Sequence, residues 1–221
     1  MKTVIIDIET LPAVDAEIFA ELIEVTAPAN YKDEAKIQAY IEEKRMTAVQ
    51  DINKESALNP LYGRVLCICT DDGKEKKLFM CETETETLRD FESYLNDEPF
   101  RLITYNGRDF DIRYLDMRLR LNGLESPFKE QHLKAFDEAY HIDLYGKITN
   151  FGKVKGTYLK HDLKTVSGFL GFISNLEPMD GSDILRLFLN GEMDKIVTYC
   201  HEDVARTRLI AERLGYLRSW I

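Results

Sequence analysis

The chain has 221 residues, 44% hydrophobic and 31% charged, and its 39 acidic against 29 basic residues leave a net charge of −10. This is the profile of a soluble α/β domain long enough to bury a sizeable core; no apolar run approaches the roughly 20 residues that span a bilayer and no leader pattern is evident, so an intracellular, cytoplasmic protein with no membrane partner is expected. The acidic balance excludes a protein that grips a polyanion by bulk positive charge.

The first predicted strand, 2–8, runs through Val4-Ile5-Ile6 into Asp7-Ile8-Glu9-Thr10-Leu11. Alternate residues of a strand share a face, so Asp7 and Glu9 converge while Ile6 and Ile8 point to a core on the other side. Two like charges held that close repel, and a divalent cation between them is the commonest physical reason for the pair. The duller alternative is a solvated edge strand, and only further carboxylates brought to the same place decide against it.

Residues 13–57 read as an acidic, helix-rich insertion with no clear single period, ended by Asn59-Pro60. Strands near 64–70 and 75–81 follow, joined by an Asp71-Asp72-Gly73 turn of hairpin type. Leu88, Phe91 and Leu95 mark the core face of a helix over 84–96, and Phe100 to Tyr105 supplies the next strand.

That strand closes in Thr104-Tyr105-Asn106-Gly107-Arg108-Asp109-Phe110-Asp111-Ile112. The Asn-Gly pair predicts a turn, and a helix opens after it with Asp111 in its first turn; Asp109 competes with Asp111 as its cap. Ile112, Leu115 and Leu119 give this helix its apolar face, and Asn122-Gly123 its stop. A short strand at 141–145 precedes a loop over 146–160 that bears glycine and lysine, then a helix around 161–170. Ser182 is the expected cap of a short helix ending at Asn190-Gly191, and a last helix runs from about 193 to Leu214. On that last helix Tyr199 and Asp203, at i and i+4, occupy one face.

The excess acid is concentrated in 15–55 and 82–98. Basic residues gather instead at Arg101, Arg108, Arg113, Arg118 and Arg120, and at Lys153, Lys155, Lys160 and Lys164. The arginines fit an ordinary solvated face as well as a functional one, whereas the lysine segment favours a functional role. Cys67 and Cys69 alternate on one strand and share a face; Cys81 and Cys200 stand alone, and no zinc-type spacing occurs, so reduced thiols are expected. Cys200, beside Tyr199, reads as a small buried apolar residue.

Asp7 and Glu9 on a first strand, Asp111 after an Asn-Gly turn, and Tyr199 with Asp203 on a late helix together resemble the DEDD superfamily of 3′→5′ exonucleases. The tyrosine four residues before the last aspartate matches the DEDDy subgroup; Thr198 stands where the histidine subgroup carries its histidine. The chain is similar to the proofreading domains of family B DNA polymerases, and above all to their stand-alone relatives. Asn59-Pro60-Leu61-Tyr62-Gly63-Arg64-Val65 and His141-Ile142-Asp143-Leu144 support the match.

The resemblance implies a ribonuclease H-like exonuclease fold, an α/β architecture with a central mixed sheet flanked by helices, in one exonuclease domain over 1–221 that carries the 13–57 insertion. It also implies two divalent cations, Mg²⁺ or Mn²⁺, with Asp7 shared between them, Glu9 and Asp203 completing the first position and Asp111 holding the second. Tyr199 would orient the attacking water, since a phenol with a reference pKa near 10 is a poor base at neutral pH. Thr10 and Leu11, through backbone groups, with Asn106, Phe110, Lys153, Lys155 and Lys160 would hold the strand end, and Asp143 would support the site from behind. The partner implied is a single-stranded 3′ end, of DNA by likeness to proofreading domains. Two alternatives stand beside it: RNA trimming, and a catalytically silent nucleic-acid-binding domain on the same fold.

Overall fold

A computed structural model describes residues 1–134, 137–149, 161–174 and 176–217. The chain divides into two compact units, one of Met1–Glu9 with Val65–Ile221 and one of Thr10–Arg64. The larger is built on a five-stranded mixed sheet in the order β3-β2-β1-β4-β5, with β1 Lys2–Pro12, β2 Gly63–Asp71, β3 Lys76–Phe79, β4 Phe100–Thr104 and β5 His141–Asp143. β1 pairs in parallel with β4 and β4 with β5, while β2 and β3 form an antiparallel hairpin. The arrangement is the ribonuclease H-like, helix-flanked mixed sheet that the sequence implies.

The smaller unit contains α1 (Ala16–Glu21) and α2 (Glu34–Leu58), each capped by an aspartate, Asp15 and Asp33, whose side chain accepts from the first-turn amides. Of the 25 residues of α2 only Ser56 is buried, which explains why the segment shows no single apolar period. The unit extends beyond the expected 13–57 insertion at both ends, and β1 runs to Pro12 where the sequence suggests an end at residue 8.

In the larger unit the two faces of β1 separate as the alternation predicts. Val4, Ile6 and Ile8 enter the main core with Leu88, Phe91 and Leu95 of α3 (Glu84–Asn96) and Ile112, Leu115 and Leu119 of α4 (Asp111–Leu121). The three α3 side chains are completely buried, each contributing about 1.5–3 kcal/mol relative to exposure. Thr83 and Glu86 close a reciprocal capping box at the start of α3.

Two expectations are corrected beyond β5. After α5 (Glu130–Leu133), β5 ends at Asp143 and residues Leu144–Ile148 form α6, where a loop from 146 was expected. Asp143 caps it by accepting from Tyr145 and Gly146 N–H, which offsets the poor helix propensity of Gly146. α7 (Leu163–Phe169) follows, and a 3₁₀ turn (Gly181–Asp183) leads into α8 (Ile184–Leu189). Ser182 does not cap α8: it lies within the 3₁₀ turn, whose cap Asp180 accepts from Ser182 N–H at 2.8 Å and from the Ser182 hydroxyl at 2.6 Å, and the cap position of α8 itself, Asp183, makes no side-chain cap bond.

The last helix, α9 (Met193–Arg213), buries Ile196, Cys200, Val204, Ile210 and Ala211, and Gly215 follows with φ of 79°. Arg208 fastens it to the end of β2 by a two-pronged pair with buried Asp71, Nη2 to Oδ1 at 2.6 Å and Nε to Oδ2 at 2.7 Å.

Candidate active site

Period two puts Asp7 and Glu9 on the β1 face opposite Ile6 and Ile8; Asp7 is half-buried and Glu9 is 5% exposed. Asp111 reaches the same place because of the turn that precedes it. Asn106 adopts φ of 66°, a conformation that asparagine tolerates. A Cβ on Gly107 would stand 2.5 Å from Thr104 Cβ, so only glycine fits there.

Both oxygens of buried Asp143 hold this turn from behind. Oδ1 accepts from Asn106 N–H at 3.0 Å and Oδ2 from Arg108 N–H at 3.1 Å. Thr104 Oγ1 accepts from Gly107 N–H at 3.1 Å and lies 2.8 Å from His141 Nε2. The chain then enters α4 with Asp111 as its first residue, 6% exposed. Neither aspartate caps the helix: exposed Asp109 pairs with Arg108 at 3.5 Å, and the cap position, Phe110, makes no side-chain bond.

Tyr199 and Asp203 are both buried and lie one turn apart on α9, close enough to act on each other electrostatically. Burial, followed by the nearby carboxylates Asp203, Glu9 and Asp7, pushes the Tyr199 phenol far above its ordinary range, so it is neutral at physiological pH. Lys164 of α7 sets its ammonium 4.6 Å from the centre of the Tyr199 ring and donates to Met179 carbonyl. Arg206 lies beside Asp203, with Nε 3.2 Å from Oδ1.

These carboxyls act on one another. Asp7 is raised well above the usual carboxylate range by burial and then by the charges of Asp111, Asp203 and Glu9. Glu9 is raised likewise, by burial first, then by Cys67 and after it by Asp203 and Asp111, against the pull of Lys164. Burial first, with Asp143 and Asp203 adding, brings Asp111 up to about 7, and burial brings Asp203 up to about 6 against the opposing pull of Lys164 and Arg206. Asp203 Oδ1 is buried with no hydrogen-bond partner. Four hard oxygen donors, each carrying unfavourable charge in the absence of a counter-ion, fit a divalent cation of the Mg²⁺ or Mn²⁺ class.

A family model described as a predicted 3′-5′ exonuclease related to the exonuclease domain of PolB matches residues 64–220. The chain belongs to this family. The matched span of this PolB-related exonuclease includes Asp111, Tyr199 and Asp203, while Asp7 and Glu9 precede it. The chain is 26% identical over 160 residues to a DNA polymerase of Archaeoglobus fulgidus, across 68% of its own length and 20% of the polymerase. Its fold resembles the family B DNA polymerase of Pyrobaculum calidifontis with a TM-score of 0.61 at 16% identity, over 97% of this chain and 24% of the polymerase. The PolB-related exonuclease thus spans about a quarter or less of either polymerase.

Of the remaining expected contacts, half-buried Thr10 and buried Leu11 belong to the 10–64 unit, Asn106 forms the turn, and Phe110 packs against the core with its ring 5.5 Å from Tyr114. Lys153, Lys155 and Lys160 lie outside the described residues. The arginine cluster disperses: Arg118 pairs with Glu84, Arg120 with Asp116, and Arg101 donates to Thr3. Arg206 is a neighbour of the carboxylates that sequence reasoning passed over, whereas Cys200, read as a small buried apolar residue, is buried and donates to the Asp7 carbonyl. Arg206 was marked only by its i+3 spacing from Asp203. No helix among the described residues is long and apolar enough to cross a membrane.

Proposed function

We propose that this PolB-related exonuclease removes nucleotides from the 3′ end of single-stranded DNA by two-metal hydrolysis, releasing nucleoside 5′-monophosphates. The observation that carries the reading is the mutual electrostatic influence of Asp7, Glu9, Asp111 and Asp203, with Tyr199 beside Asp203 on α9. Asp7, Glu9 and Asp203 would hold one cation and Asp7 with Asp111 the other. When bound, such a pair lowers the pKa of water and neutralises charge on the phosphate and leaving oxygen.

The residues supply the rest. The neutral Tyr199 hydroxyl beside Asp203 would orient the attacking water without removing its proton. Lys164 and Arg206 keep Asp203 ionised, the form a cation needs. Asp143 fixes the turn that delivers Asp111. Backbone groups at Thr10 and Leu11, with Asn106, Phe110, Lys153, Lys155 and Lys160, are the proposed strand contacts. A short strand end needs few of them, which reconciles the role with a net charge of −10. Cytoplasmic placement and a single exonuclease domain over 1–221 belong to the same proposal.

The reading is tested by incubating the protein with a uniformly labelled single-stranded oligonucleotide and Mn²⁺ and identifying the product. Nucleoside 5′-monophosphates are expected; nucleoside 3′-monophosphates or oligonucleotide fragments would overturn the assignment of polarity and mechanism.

A further inference from the structure

Behind the carboxylates the fold collects three thiols. Cys67 and Cys69 of β2 and Cys200 of α9 are completely buried and within hydrogen-bonding reach of one another. Cys200 Sγ also donates to the Asp7 carbonyl at 3.5 Å. Its sulfur and one carboxylate oxygen each of Asp7 and Glu9 lie within 4.8 Å of one another. Around a tetrahedral zinc, donors at about 2.0–2.3 Å stand roughly 3.3–3.8 Å apart, so small side-chain movements bring these three to coordinating distance. Asp203, whose buried Oδ1 has only the Arg206 charge at 3.2 Å and no hydrogen bond, acts electrostatically on both Asp7 and Glu9. Asp7 is only half-buried, which gives an ion its way in.

We propose that Asp7, Glu9 and Cys200 form a mixed oxygen and sulfur site for a thiophilic divalent cation of the Zn²⁺ class, which excludes Mg²⁺ or Mn²⁺ from the same two carboxylates. A hard cation gains nothing from the sulfur, whereas Zn²⁺ gains a thiolate ligand as the Cys200 proton leaves to solvent. Zn²⁺ therefore holds the site more tightly than Mn²⁺ and blocks it. The blocking rests on the exonuclease reading; the binding does not.

The test uses the full, reduced chain carrying Cys81→Ser, since Cys81 is the exposed thiol. Zinc-edge X-ray absorption on the 1:1 Zn²⁺ complex is expected to show one sulfur neighbour at about 2.3 Å with oxygen neighbours beside it. Cys200→Ser, checked for folding by circular dichroism, is expected to weaken Zn²⁺ binding by about tenfold or more while Mn²⁺ binding changes by less than about twofold. Asp7→Asn should weaken both. A zinc ion with only oxygen or nitrogen neighbours, or with two or more sulfurs, overturns the site without reference to any variant of Cys200. Undiminished Zn²⁺ affinity in Asp7→Asn does the same. All of these read metal binding alone, so they stand or fall apart from nuclease activity.

Discussion

Arg206 stands 3.2 Å from Asp203 one turn along α9, with neither buried atom, Nε nor Oδ1, making a hydrogen bond. Its other nitrogens hold Ser167 at 3.1 Å and Glu202 at 3.2 Å, and its guanidinium lies 4.3 Å from the centre of the Phe172 ring. Arg206 is thus a fixed counter-charge beside Asp203 Oδ1, paired by charge and not by a hydrogen bond. Arg206→Leu should cost about 3–5 kcal/mol of stability by stranding buried carboxylates, and should raise the Mn²⁺ concentration needed for half-maximal rate. Arg206→Lys should recover part of both, as read by denaturant unfolding and metal titration. A stability change with no change in metal demand would leave Arg206 a packing residue.

The carboxylates also set a pH dependence. Asp111 and Asp203 have folded pKa values of about 7 and about 6 against 3.8 for an ordinary aspartate. With raised folded values the native state binds more protons than the unfolded chain. Their contribution is therefore complete below about pH 4 and is lost as pH climbs through 6 and 7. Other carboxylates, such as Asp180 and Asp183, are lowered and favour higher pH, so the informative quantity is a difference between variants. Asp7→Asn removes one of the repelling charges. In metal-free buffer it should unfold at a higher temperature than the wild type at pH 7.5, and the gap should shrink towards pH 5. Mn²⁺ should stabilise the wild type more than the variant.

Tyr199→Phe removes one hydroxyl and keeps the ring beside Lys164. The rate should fall by up to about 100-fold through loss of water orientation, with Mn²⁺ affinity preserved. An unchanged single-turnover rate would return Tyr199 to packing.

Gly107→Ala places a methyl 2.5 Å from Thr104 Cβ. The turn must open, displacing Asp111, with a stability loss of about 1–3 kcal/mol and a fall in rate larger than that loss alone produces. Urea unfolding beside steady-state kinetics checks both.

The sequence makes the local parts of this architecture legible because they depend on short-range rules. Alternation assigns Asp7 and Glu9 to one face of β1, and the Asn106-Gly107 turn delivers Asp111 into α4. The i,i+4 spacing puts Tyr199 and Asp203 together on α9. What it hides is assembled across distance. Cys200 meets Cys67 and Cys69 across α9 and β2, elements that Arg208 and Asp71 also join, so a lone cysteine in sequence becomes part of a donor cluster in space. Arg206 owes its role to partners from outside α9, Ser167 and Phe172. α6 was missed because Gly146 reads as a breaker and the cap at Asp143 offsets it. Asp180 and Ser182 are both good caps, and the choice between them is made by the turn.

The most direct test of the account is a time course on a 5′-labelled single-stranded DNA oligonucleotide and its RNA counterpart in Mg²⁺, Mn²⁺ or EDTA, with Asp7→Ala as control. A ladder shortening from the 3′ end of DNA, dependent on the cation and absent from Asp7→Ala, is the predicted result. Preferential shortening of RNA would move the substrate to the other sugar, and intact strands with folded protein and Mn²⁺, or turnover retained by Asp7→Ala, would contradict the account.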